Sequence, residues 1–496
     1  MRYRSFLAFL LSVTLFACGD GGPQPTPTAG AQGEPGTTSE TGAPAAPVDE
    51  EPIATAPGAP GPRALPATIV ELEVAAFPRP AAEACADNLT VVNVHEGGSI
   101  ATAVATAMPG TTIQVAAGTY VEQPDEWLAL EIDVDDLCVR AVGGPVVIES
   151  SGQGLGISLT GSDVVLEGLE LRGFEVGIAI DGREGTTQRN VTIENTRIEA
   201  LSGEFREGVI VYAEPWGSDP VVDGLLLLDV VVDGADLGVS CNAGPCEHVW
   251  VEGSVINGRR SSASSGADAF AIEEGRQIVV VDTVVTGASA DGIDTKASDV
   301  VVFGVRVLDV GRNGVKLWRG GDVINTIIDG TGADSSLVGE EAGTYRYLHT
   351  LVTHHSEGDF GYVGTWSYDV RSSDITIEIV NSIFAHNSAG GFFIPESAAL
   401  SMRHSILWGD AEHKLLDVGD ESSFMFSDLA AFESAGHGEG NLLADPQFVD
   451  LDDHDYAARA SSPARDAGEA IPGLDVDAVG GDRVQGLAPD IGPIEQ

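Results

Sequence analysis

Positive charge is scarce in this chain. Lys and Arg account for 25 of its 496 residues, against 76 Asp and Glu, and the net charge is −51. That balance excludes nucleic acid as a partner, because phosphates are held by basic side chains. It suits solubility, high salt or divalent cations instead. Long apolar runs are also scarce: beyond residue 17 no stretch is long and apolar enough to cross a bilayer as a helix. A Gly-rich phosphate loop is missing, which argues against nucleotide chemistry, and no paired-carboxylate pattern marks a glycosidase. Cysteine is limited to five residues.

The ends explain part of this. In "MRYRSFLAFLLSVTLFAC", Arg2 and Arg4 precede an apolar run that stops at a small residue and a cysteine, the build of an export signal over residues 1–18. Leu15-Phe16-Ala17-Cys18 resembles a bacterial lipobox. That resemblance implies that Cys18 carries lipid and that the secreted protein is anchored at the cell envelope, with an ordinary secretory signal as the alternative. Residues 19–64 are rich in Pro, Gly, Thr and Ala with a few acids, and read as a disordered tether. Four cysteines remain: Cys85, Cys138, Cys241 and Cys246. Three pairings are possible, and export favours disulfides over a metal site. Cys241 and Cys246 flank the turn-like "NAGP", which suits a local bridge and would leave Cys85 to Cys138.

From about residue 150 to 400 one phrase recurs: a small residue followed by alternating apolar positions, as in "LGISL", "VGIAI", "EGVIV", "LGVSC", "DAFAI", "DGIDT", "NGVKL", "FGYVG" and "GGFFI". Aligned on the small residue from Gly156 to Gly391, most phrases lie 21 to 31 residues apart, and one gap of 47, from Gly314 to Gly361, reads as two coils. Between them lie further strand signals such as "IVVVDTVVTG". A period of this length without helical pattern predicts a β-solenoid, because a single coil cannot bury its own apolar face. Over 97–122, Ile100, Ala103, Val104 and Ala107 fall on one helical face behind the N-cap candidate Ser99, predicting a short capping helix. The expected fold is all-β: a parallel β-helix over residues 65–440, closed by residues 441–496. The opening and the closing tail "DPQFVD…SSPARDAG…GLAPDIGPIE" resemble right-handed parallel β-helix proteins of the pectate lyase type, which implies the right-handed form.

Residues two and four after the small residue alternate with the apolar ones and face outward. The first outward column runs Ala179, Ile210, Ser240, Ala271, Asp294, Lys316, Val363 and Phe393; the second includes Glu273, Lys296, Trp318 and Thr365. The residue before the small one runs Glu207, Leu237, Asp268, Asp291, Asn313. Charge concentrates in three consecutive coils. Carboxylates on neighbouring strands, about 4.8 Å apart, either repel or share a hard cation such as Ca²⁺.

"GADAFAIEEG", "ADGIDTK" and "RNGVKLWRGG" resemble the central coils of the pectate lyases of polysaccharide lyase family nine. The resemblance implies Ca²⁺ held by Asp268, Asp291 and Asp294, and Lys316 as the base of a β-elimination on a uronate polymer. This chain departs from the pattern at Ala290, in place of its first Asp, at Val315, in place of Phe, and at Trp318-Arg319, in place of the first closing Gly. Lys296, Arg312 and Arg319 are candidates for substrate carboxylates, and Trp318 for stacking on a sugar ring. Arg259, Arg260, Arg276, Lys296, Arg306, Arg312, Lys316 and Arg319 are expected to form a local basic cleft that admits an acidic polysaccharide. His354-His355, His386 and His404 read as surface turn residues. A monomer is expected. The competing reading is a non-catalytic lipoprotein that binds polysaccharide or a surface partner. A weaker one is a hydrolase or epimerase on the same fold, since fold does not fix chemistry.

Overall fold

The computed structural model describes Leu65 and residues 70–496, apart from 123–125, 183–185, 214–219, 243, 260–266, 333–335, 356–362, 366–373, 388–390, 395–397, 410–413 and 419–421. The export signal at 1–18, Cys18, the tether at 19–64, Arg260 and Gly361 lie outside the described residues.

Each phrase of the repeat forms a short strand that pairs in parallel with its counterpart one coil on. Val176–Gly182 pairs with Glu207–Ala213, and the series continues through Leu237–Cys241, Phe270–Ile272, Ile293–Thr295, Val315–Leu317 and Leu337–Gly339. These strands belong to a 13-stranded sheet. Among the described residues the strands between them form a 25-stranded sheet whose pairings run as two parallel ladders, the first including Gly275–Val281 and Ser298–Phe303 and the second Val284–Thr286 and Arg306–Val310; the 13-stranded sheet is the third ladder. Apolar side chains of all three ladders, such as Ile293, Val300 and Val307, meet in one continuous core. The chain is therefore a parallel β-helix. Ile100–Ala105 is the expected capping helix, with Ser99 Oγ accepting the Thr102 N–H at 3.0 Å. Both cysteine pairs form, Cys85–Cys138 and Cys241–Cys246.

The 47-residue gap contains two coils, with Ser336 standing where the preceding coil has Gly314: Val315 pairs with Leu337, and Leu337 with Val363. The latter pairing corrects the alignment on Gly361. Val363 occupies the apolar register of Val315, and Gly364, not Val363, follows Lys316 and Val338 in the outward column. "FGYVGT" has glycines three apart, so its pattern fits either face, and a one-residue slip exchanges the faces. His355 is a second correction: it is buried, 2.9 Å from Thr331 Oγ1, rather than on a surface turn.

The corner between the first two ladders has its own side-chain ladder. Asn195, Asp229, Asp282, Asn325, His349, Asn381 and His404 all adopt positive φ there. A buried hydroxyl follows most of them. Ser382 Oγ donates to Val380 O at 3.0 Å and accepts the Thr350 N–H at 3.1 Å; Ser405 Oγ donates to Arg403 O at 2.9 Å and accepts the Ser382 N–H at 3.1 Å. The hydroxyls thus take up corner N–H groups of the neighbouring coil, between backbone bonds such as His349 N–H to Val380 O at 2.9 Å and Ile383 N–H to Thr350 O at 2.8 Å.

The outer faces of two ladders are covered by the ends of the described chain. Leu65, Val70, Leu72 and Phe77 pack on Leu226, Trp250, Val279 and Phe303 of the first ladder, and Leu474 and Ile471 join the same cluster. Phe448, Tyr456 and Ile491 cover Ile327, Leu351 and Ile383 of the second. Asn381 and His349 fasten the tail. Asn381 Nδ2 donates to Glu469 O at 2.7 Å, and His349 Nδ1 lies 3.0 Å from Gly492 O. A carbonyl only accepts, so His349 carries its proton on Nδ1; burial and nearby Arg483 hold its pKa well below the usual value.

Ser382→Ala would strand the buried Thr350 N–H. A loss of about 1–3 kcal/mol is expected, read as a lower denaturant midpoint together with faster hydrogen exchange at Thr350. An unchanged midpoint would mean that the hydroxyl ladder contributes nothing net.

Candidate metal and acid–base site

The outward residues of the third ladder converge where the sequence concentrates charge. Asp268 precedes the Phe270–Ile272 strand, Asp291 precedes Ile293–Thr295, and Asp294 lies within it. The first two are stacked by the backbone: the Asp291 N–H donates to Asp268 Oδ1 at 2.9 Å, and Asn313 donates to Asp291 Oδ1 from its N–H at 3.1 Å and from Nδ2 at 2.9 Å. Asp268, Asp291 and Asp294 each offer a carboxylate oxygen within 4.8 Å of the others. Asp268 and Asp291 are buried and Asp294 is half-buried.

Three carboxylates this close resist ionisation. Burial, then the charges of Asp291 and Asp294, raise the Asp268 carboxyl well above its ordinary range. Burial and the Asp294 charge push Asp291 up to about 6. Burial raises Asp294 too, partly opposed by Lys316 and Lys296. Oxygen donors only, in excess negative charge, are the donor set of a hard divalent cation. Ala290 is buried with no donor side chain, so the fourth carboxylate of the related pattern is missing.

Lys316 pairs in register with Asp294 on the adjacent strand and is 8% exposed. Its Nζ lies 3.4 Å from Glu340 Oε1 and 5.0 Å from the centre of the Trp318 ring. The Trp318 Nε1–H donates to Asp294 Oδ1 at 2.7 Å. Lys296 pairs with Glu273 and lies 4.8 Å from the same ring. Thus Glu273, Lys296, Trp318, Asp294 and Lys316 come together as their spacing predicts. Arg312 adds positive charge near Asp291. Arg319 is exposed and pairs with Glu341 at 3.1 Å.

Among the described residues the expected basic cleft is not formed. Arg276 belongs to the first ladder and pairs with Glu247 at 3.0 Å, Arg306 belongs to the second ladder, and Arg259 pairs with Asp236 at 2.9 Å. Residues close in sequence are distributed around the coil by its three faces. Glu340 was missed. It belongs to the coil whose small residue is Ser336, and the signal was there: "SSLVGEE" repeats the phrase 22 residues after Gly314.

A second cluster, Asp223, Glu247 and His248, lies on the first ladder. Arg276 pairs with Glu247, and the Asp223 Oδ1 lies 2.7 Å from His248 Nδ1. Arg276 thus sets a cation of the chain directly on one of these carboxylates.

No protein-family model matches the chain. No curated protein matches it. Among solved structures it is similar to pectate lyase Pel9A, at 14% identity and a TM-score of 0.41, over 82% of this chain and 96% of that one. A PL6-family polysaccharide lyase from Pseudopedobacter saltans matches at 13% identity and a TM-score of 0.41, over 75% and 96%. The A-module of the mannuronan C-5 epimerase AlgE4 from Azotobacter vinelandii matches at 14% and 0.33, over 64% and 88%. At these identities the likeness concerns the fold.

The raised carboxyl of Asp291 has a defined sign. Its folded value exceeds the ordinary one, so its ionised form costs stability above about pH 6, and the cost vanishes below the ordinary value of 3.8. Asp291→Asn keeps an oxygen acceptor and removes the charge. In chelator the variant is expected to melt a few degrees higher than the wild type at pH 8 and alike near pH 4. Added Ca²⁺ is expected to reverse the order at pH 8. Thermal unfolding checks both; equal melting at pH 8 in chelator would contradict the repulsion.

Proposed function

We propose that the chain is a secreted, envelope-anchored, Ca²⁺-dependent polysaccharide lyase that cleaves a uronate polymer of the pectate type by β-elimination. One observation carries this reading: three carboxylates from two successive coils meet beside a buried lysine of the next coil. The envelope anchor rests on Cys18 alone.

Asp268, Asp291 and Asp294 would hold the cation. When bound, it withdraws charge from the uronate carboxylate, which acidifies the proton at C5. Lys316, as the neutral amine, takes that proton. The electron pair of the C5–H bond becomes the C4–C5 double bond, and the C4–O bond breaks with its pair going to oxygen. Arg312 and Arg319 would hold neighbouring substrate carboxylates, Arg319 in exchange for Glu341.

A second reading has one observation in its favour. Glu340 lies 3.4 Å from Lys316 and favours its ammonium form, which suits a non-catalytic β-helix that binds polysaccharide around a structural cation.

One experiment decides between them. The full chain is incubated with pectate, alginate and glycosaminoglycans, with Ca²⁺ or with chelator, and unsaturated uronate is followed by ultraviolet absorbance. The lyase reading expects Ca²⁺-dependent product that falls by at least about a thousandfold in Lys316→Ala, while Ca²⁺ binding survives. A folded, Ca²⁺-loaded wild type that releases no product from any polymer would sink the elimination and leave the binding protein.

A further inference from the structure

Trp318 stands where the related pattern has glycine. The backbone around it is held from both sides. Its N–H donates to Thr295 O at 2.9 Å, and its carbonyl accepts the Glu341 N–H at 2.7 Å and the Tyr345 hydroxyl at 2.8 Å. The indole N–H is committed to Asp294 Oδ1 at 2.7 Å, and the ammonium groups of Lys296 and Lys316 lie 4.8 Å and 5.0 Å from the ring centre. A sugar-stacking platform needs an open ring face. This ring is already met by two cations and half-buried.

We infer that Trp318 is a positioning residue that sets both halves of the site at once. Its N–H fixes one oxygen of Asp294 and leaves the other for the cation, and its π face confines the Lys316 ammonium beside that carboxylate. Glu273 and Glu340 hold the two lysines from their other sides, through Glu273–Lys296 and Glu340–Lys316 pairs. This inference rests on the cation site proposed above.

The test is calorimetric titration of Ca²⁺ into the full chain as wild type, Trp318→Phe and Trp318→His, with far-ultraviolet dichroism as the check on folding. Phe keeps a ring and removes the N–H; His restores a ring N–H. Loss of a hydrogen bond to a ligating carboxylate weakens metal binding by roughly 10–100-fold. Trp318→Phe is therefore expected to raise the Ca²⁺ Kd at least about tenfold, and Trp318→His to recover part of that loss. At saturating Ca²⁺, Trp318→Phe is expected to leave KM for the polymer unchanged. Wild-type Ca²⁺ affinity in Trp318→Phe with a raised KM would overturn the inference in favour of the sugar platform, while the cation site stood. A wild type that binds no Ca²⁺ would overturn both. If Trp318→Phe loses its β-sheet spectrum, the wild type still decides through Tb³⁺ luminescence excited through indole. Ca²⁺-displaceable emission is expected from an indole bonded to a ligand, and its absence would overturn the inference.

Discussion

The coils that carry the site enter the third ladder through a corner too narrow for most side chains, and the site depends on that corner. A Cβ on Gly292 would fall 2.7 Å from the Gly314 carbonyl oxygen, and one on Gly314 would fall 2.7 Å from that of Ser336. Carbon and oxygen do not approach so closely without the backbone moving. Close stacking at this point keeps the strands that follow in register, so Asp294 lies against Lys316 rather than a residue to either side. A lost register would not merely loosen the site: a one-residue slip would turn Lys316 into the core and Val315 outward.

Electrostatics then separates this region from the rest of the surface. Elsewhere the few basic residues are matched to acids, as in Arg346 with Asp322 at 3.2 Å and Arg403 with Glu378 at 2.8 Å. At the three aspartates burial and the closeness of like charges outweigh Lys316, Lys296 and Arg312, and the carboxyls are raised. A chain this acidic gains little from another surface carboxylate. Burying three of them together costs stability, and an ion that binds there regains it.

Much of this was legible in the sequence. The two-residue alternation and the repeat length gave the solenoid, and the columns gave Asp268, Asp291, Asp294, Lys296, Lys316 and Trp318 as one group. Alternation stops being legible where the phrase changes its letters. Ser336 in the place of Gly hid the coil of Glu340, and the two glycines of "FGYVGT" shifted Val363 by one. The basic cleft failed for another reason: closeness along the chain is not closeness in space when each coil has three faces. The coverings of the outer faces had left a sign as well. "LLLL" at 225–228 and "VVV" at 279–281 are apolar at consecutive positions, as strands buried on both faces are. Which segments cover them is not written in the strands; it follows from distant contacts such as Val70 N–H to Asp322 and Asn381 to Glu469.

The N-terminal covering segment also acts as a ruler. It is tied to Asp322 through Val70, to Gln277 through Glu73, to Glu194 through Ala81 and to Cys138 through Cys85. Solenoids commonly change length by gaining or losing whole repeats, since each repeat touches only its neighbours. Here one added coil between Cys138 and Asp322 would displace the upper ties by about 4.8 Å relative to the lower ones. The number of coils in that span is therefore inherited together with the length of the strap, and a duplication can persist only where the strap does not reach or where it lengthens in the same event.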